Sequence, residues 1–146
     1  MRSMPLPLLA KPRHLPVLAV GLALLFVPAA WAETWTIDTA HSSAQFVVRH
    51  MMVSNVRGEF AKVTGTVEFD PNDMARSKVE ATIEVATIST REPKRDEHLK
   101  SPDFFDVSKY PTIVFRSKRV DKSGEGFKVT GDLTIRGVTR EVVLEV

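Results

Sequence analysis

Lys62–Asp70 reads KVTGTVEFD, and Lys78–Ala86 reads KVEATIEVA. In the first, Val63, Gly65, Val67 and Phe69 alternate with Lys62, Thr64, Thr66 and Glu68. In the second, Val79, Ala81, Ile83 and Val85 alternate with Lys78, Glu80, Thr82 and Glu84. A period of two gives each segment one apolar and one wet face, as in strands of a half-buried antiparallel sheet. Asp70, Pro71, Asn72 and Asp73 between them are turn formers.

The same alternation extends in both directions. Ala44, Phe46 and Val48 face one way and Gln45, Val47 and Arg49 the other. Thr112–Val120 reads as a strand with Ile113 and Phe115 inward, and Asp121–Gly126 as a turn. Phe127, Val129, Gly131, Leu133 and Ile135 alternate with polar residues up to a tight turn at Arg136–Gly137. Val138–Val146 starts another strand, with Val142 and Leu144 inward. Roughly six strands with short turns predict an all-β sandwich or barrel. Because an open sheet with one apolar face needs a second layer or closure, a chain lacking its closing strands, or receiving them from elsewhere, is expected.

Met1 to Ala32 has a different character. Arg2, Lys11, Arg13 and His14 precede an apolar run from Leu15 to Val27, and Ala30-Trp31-Ala32 is a small-x-small site. That order marks a secretory signal peptide cut after Ala32, with an apolar run short of the roughly 20 residues that span a bilayer. The net charge of +2 comes from 20 basic and 18 acidic residues. Losing Arg2, Lys11 and Arg13 leaves 17 basic against 18 acidic, a net charge of −1. The remaining domain, 33–146, is therefore not a basic nucleic-acid binder. The chain has no cysteine, which excludes thiol catalysis and fits an envelope protein built without disulfides.

Arg95–Phe115, RDEHLKSPDFFDVSKYPTIVF, interrupts the strands with charge, one histidine, two adjacent phenylalanines and two prolines. Long connections of this kind carry function or cover a site. Pro93 near a helix start and Lys94–Lys100 predict a short helix, followed by a turn through Pro102–Asp106. Asp96, Glu97, His98, Asp103 and Asp106 are close enough in sequence to suggest acid–base work, with His98 paired to Asp96 or Asp103 in a hydrolytic enzyme. Helix caps, and an Arg95–Asp96 ion pair anchoring the connection, account for the same residues structurally. His41, His50 and His98 match no metal-ligand spacing. No GxSxG elbow or phosphate cradle occurs. The inward apolar residues serve equally as an ordinary core or as the wall of a barrel holding one small ligand, with Gly65, Ala81 and Gly131 leaving room.

The chain resembles the YceI-like family of polyisoprenoid-binding envelope proteins. The likeness lies in WTIDTAHSSAQFVVRHMMVSNVRGEF, RDEHLKSPDFFDVSKYP, IVFRS and GDLTIRGVTREVVLEV, and covers Trp35 to Val146. The resemblance implies an extended antiparallel lipocalin-like β-barrel with a short helical insertion, and further strands beyond Val146. It implies no enzymatic reaction and no cofactor. It implies periplasmic binding, transport or storage of an isoprenoid lipid or other long-chain amphiphile. Ligand contacts would come from the inward Phe46, Val48, Val67, Phe69, Ala81, Ile83, Val85, Ile113, Phe115, Val129 and Leu133. Phe104 and Phe105 would cover the channel. The membrane would be met only transiently, as lipid donor or acceptor, and a dimer is an open alternative. A stress-response or protein-interaction module with a filled barrel is the competing non-enzymatic reading.

Overall fold

Strand pairing begins where the alternation is cleanest. In the computed structural model, which describes residues 33–146, Val63–Phe69 and Lys78–Glu84 are antiparallel neighbours. The chain order is β1 (Glu33–Thr36), β2 (Ala44–His50), β3 (Ser54–Phe60), β4 (Val63–Phe69), β5 (Lys78–Glu84), β6 (Ile88–Ser89), α1 (Pro93–Lys100), β7 (Thr112–Ser123), β8 (Gly126–Ile135) and β9 (Val138–Glu145). The expected signal peptide lies outside the described residues.

The strands form two sheets. The larger has six strands in the order β1-β4-β5-β7-β8-β9, and the smaller has three in the order β2-β3-β6. Every pairing is antiparallel. This corrects the expected closed, lipocalin-like barrel: the ladder running from β1 to β9 does not return on itself, and both sheets are open. Closure would require the two edge strands to pair with each other, and β1 and β9 remain the unjoined ends of the ladder.

Registers set the faces. Val67 lies opposite Val79, and Ile83 opposite Ile113. Phe115 lies opposite Leu133, and Val129 opposite Leu144. Between Ser117 and Arg119 the β7–β8 register shifts. That bulge places Ser117 and Val120, three positions apart, against Gly131 and Val129 on one face. Ser117 Oγ accepts the Val79 N–H at 2.8 Å, where the β5–β7 ladder has stopped at Glu80. The strand runs on through Asp121–Ser123, the segment expected to turn, and reverses around Gly124 at φ 62°.

The core divides along this face. One cluster comprises Phe60, Val85, Ile88 and Ile113, with Ala44, Phe46, Ile83, Leu99, Phe105, Val107 and Leu133 against it. It draws on both sheets and on the connection after α1. Phe60 packs tilted on Phe46 at 5.5 Å and edge-on to Phe105 at 5.7 Å between ring centroids. A second cluster comprises Phe115, Val120 and Val129, with Val79, Ala81, Phe127, Leu133 and Val142 around it. All of its residues belong to the larger sheet. The two-sheet end is thus filled, and the other end is one sheet with its apolar face partly uncovered.

Helix α1 follows the sequence expectation. Pro93 occupies its first turn and Glu92 caps it, accepting the Lys94 N–H at 3.3 Å. Among the described residues, no helix is long and apolar enough to cross a membrane.

Candidate functional site

Where the single-sheet end lacks a covering layer, a cavity of about 450 Å³ opens. Its wall is built from neighbouring strands: Trp35 of β1, Val67 and Phe69 of β4, Val79 of β5, Val120 of β7, Phe127 and Val129 of β8 and Leu144 of β9. Val146, past the end of β9, adds to the rim and pairs with Phe127, which donates its N–H to Val146 O at 2.7 Å. Phe69 and Phe127 meet edge-on at 5.8 Å.

Two polar residues reach this wall, Glu68 and Ser77. Ser77 Oγ is occupied, accepting the N–H of Asp70 at 3.1 Å. Asp70 is buried, and its Oδ1 accepts the N–H groups of Asn72 at 3.0 Å and Asp73 at 3.2 Å. That cap ties down the β4–β5 turn beside the cavity. Such a lining holds an apolar chain by dispersion and loss of water contact, and selects by shape.

The expected ligand residues separate by location. Val67, Phe69 and Val129 line the cavity. Ala81, Phe115 and Leu133 belong to the cluster beneath it. Phe46, Ile83, Val85, Phe105 and Ile113 pack in the two-sheet cluster. Val48 and Phe104 are exposed. Phe104 lies edge-on to the His98 ring at 4.9 Å. Gly65 and Gly131 leave less room than the sequence suggested: a Cβ at Gly65 would sit 2.0 Å from Glu80 O, and one at Gly131 2.6 Å from Phe115 Cζ. Their smallness serves strand approach and the Phe115 ring. Trp35 and Val120 were overlooked in the sequence. Trp35 shares the parity of Ile37 at the start of the domain, a signal that was available; Val120 was hidden by the bulge.

The charged connection does different work. Thr90, buried, donates its N–H at 2.8 Å and its hydroxyl at 2.5 Å to Asp96 Oδ1. Arg95 Nε donates to the same hydroxyl at 2.7 Å and its Nη2 to Thr90 O at 2.9 Å. Arg95 and Asp96 therefore anchor α1 by sharing Thr90, in place of the expected mutual ion pair. His98 reaches Asp103 at 3.3 Å with both side chains exposed, while Asp96 is held by Thr90. His41 pairs with Asp38 at 2.6 Å, a contact that lowers the Asp38 pKa. Among the described residues no three His, Asp or Glu side chains converge to hold a metal.

Fold and site together define a class: a mostly antiparallel β protein of two open sheets, the larger of which carries an apolar hollow on one face, with the charged residues of the α1 connection in caps, anchors and surface pairs. The chain belongs to the YceI-like family, whose domain model matches residues 35–146. Among the described residues there is no metal-holding cluster, and the sequence has no cysteine. A UPF0312 protein of Photorhabdus laumondii is 40% identical over 129 residues, covering 87% of this chain and 67% of the relative. One from Staphylococcus aureus is 45% identical over 112 residues, covering 77% and 63%. The chain thus spans about two thirds of the length of such relatives. Among solved structures, Burkholderia cenocepacia BcnA is 31% identical with a TM-score of 0.68, covering 75% of this chain and 69% of that one. The Campylobacter jejuni YCEI protein is 39% identical with a TM-score of 0.58, covering 76% and 66%. A polyisoprenoid binding domain from Saccharophagus degradans, 14% identical with a TM-score of 0.58 and covering 78% and 66%, shares the fold.

Proposed function

We propose that this protein binds an isoprenoid lipid or similar long-chain amphiphile in the cell envelope, as a carrier or store. The observation that carries this reading is the cavity of about 450 Å³ walled almost wholly by apolar side chains. Its size falls within the roughly 300–1,000 Å³ of small-molecule sites. Each apolar surface removed from water there contributes about 25 cal/mol per Å². Such binding is tolerant of headgroup, which suits transport and storage. The fold shared with a solved polyisoprenoid binding domain supports the ligand class.

In this reading Met1–Ala32 is a leader removed on export to the periplasm, and 33–146 forms the binding domain. Val67, Phe69, Val79, Phe127 and Val129 grip the chain, and no cofactor takes part. The test is organic extraction of protein purified from the envelope, followed by mass spectrometry. A polyprenyl or other long-chain amphiphile in stoichiometric amount is expected. Extracts repeatedly free of any such molecule would sink the proposal.

A further inference from the structure

A lipid carrier must meet a membrane, and one hairpin tip has the chemistry for it. β2 and β3 are joined by a three-residue loop, Met51-Met52-Val53, between the paired residues His50 and Ser54. These three side chains are 79%, 77% and 89% exposed. Val48, just before the tip, is exposed as well. Exposed apolar residues in one continuous tip differ from the single scattered ones that any surface carries.

The backbone of the tip is also unusual. Met51 and Met52 both have left-handed φ, 49° and 61°. Side chains with a Cβ are disfavoured there, and hairpin loops normally place Gly, Asn or Asp at such positions. The turns after β7 and β8 use Gly124 at φ 62° and Gly137 at φ 72°, and Arg91, Asp106 and Arg136 are left-handed as well; among the described residues Met51 and Met52 are the apolar ones in this conformation. At the β2–β3 tip the chain holds two methionines in the conformation that suits glycine. Strain retained on an exposed surface points to a use for the side chains themselves.

Charge names the partner. Arg49 and Arg57 lie on the face of the hairpin opposite Phe46, at register positions facing Asn55 and Val47. From Val47 to Gly58 there is no acidic residue, in a chain with 18. Neither arginine has an ion-pair partner among the described residues. An apolar tip behind unpaired cations fits a surface with an apolar interior and anionic headgroups. We propose that the β2–β3 hairpin tip inserts Met51, Met52 and Val53 into an anionic lipid surface, with Arg49 and Arg57 against its headgroup phosphates. The inference rests on the lipid-binding reading for its purpose, and on the hairpin alone for its physics.

The test is flotation of the purified protein with vesicles of phosphatidylcholine, or of phosphatidylcholine and phosphatidylglycerol in equal parts. Binding to the anionic vesicles is expected, weakened by salt. The double variant Met51→Asn/Met52→Gly should lose about tenfold or more in vesicle affinity. Its melting temperature should hold or rise, because Asn and Gly accept the left-handed backbone. Arg49→Gln/Arg57→Gln should lose about tenfold on anionic vesicles alone. Absence of flotation, flotation unaffected by the tip variant, or tip-dependent self-association in sedimentation without vesicle binding would each overturn the proposal. Extracting the unaltered protein for bound lipid separates the two readings: a loaded parent that fails to float removes the membrane tip and keeps the lipid site, while a parent that floats through its tip but gives empty extracts does the reverse.

Discussion

Gly131 sits in the middle of β8 under the ring of Phe115. A Cβ there would lie 2.4 Å from Arg116 O and 2.6 Å from Phe115 Cζ. The backbone atom cannot retreat without breaking the β7–β8 ladder, so Gly131→Val forces Phe115 off its rotamer. A loss of about 3 kcal/mol in unfolding free energy is expected by urea denaturation. Thr90 is the second residue on which much depends. Thr90→Val keeps the shape but deletes the hydroxyl that donates to Asp96 and accepts from Arg95. About 2 kcal/mol should be lost, and hydrogen exchange across α1 should accelerate ahead of exchange in β7 and β8. An unchanged exchange pattern would mean that α1 is held by Leu99 and the core instead. The sequence shows Thr90 as one polar residue in a turn. Its importance comes from burial and from two partners on the next helix, and neither is written in local pattern.

Elements with strong alternation were readable, and the reasons for the others are physical. β4, β5 and β8 carry uninterrupted period-two runs, and Pro93 marks the start of α1. β3, SNVRGEF, pairs with β2 although Arg57, Gly58 and Glu59 dilute its apolar signal. Its Gly58 is required because the Phe46 ring crosses it, with Cζ 2.3 Å from where a Cβ would stand. The bulge in β7 gave no signal at all, since one extra residue is invisible until its partner strand is known. Lys118 sits in that bulge and bridges Asp132 at 2.7 Å and Glu141 at 3.2 Å, tying β7 to β8 and β9. Asp132 first, then Glu141, raises the lysine pKa. The folded state therefore holds this proton more tightly than the unfolded chain. The contribution is complete below the unfolded lysine value, near 10.4, and is lost as pH rises through the higher folded value. Lys118→Met should melt slightly below the parent near neutral pH. That gap should close in high salt, and again as pH rises through the raised folded value. A gap indifferent to both would assign the effect to packing of the lysine stem.

At the scale of the molecule, alternation tells which side of each strand is apolar but is the same for an open and a closed sheet. Barrel closure is implied by the family likeness alone, and the two open sheets replace it. The consequence is an uneven core. The two-sheet end is packed by Phe46, Phe60 and Phe105, while the single-sheet end leaves the cavity between Trp35 and Leu144. Trp35 itself remains 61% exposed. An apolar ligand seated there adds the contacts that a second layer would otherwise supply, so binding and stability are linked. At a free ligand concentration a hundred times Kd, the folded state gains about 2.7 kcal/mol. For a domain of this size that corresponds to a rise in Tm of roughly 10 °C. Farnesol or a longer polyprenol should produce this shift, with a negative heat-capacity change on titration from the apolar surface buried. Val79→Phe, which pushes a ring into the cavity, should leave the ligand-free Tm equal or higher while reducing the ligand-induced shift by more than half. Removing the ring of Phe105 should act oppositely, lowering the ligand-free Tm by loss of its contact with Phe60 and leaving the ligand-induced shift in place. Equal loss of shift in both variants would mean that the ligand responds to global stability, and that the hollow under β8 and β9 is not its seat.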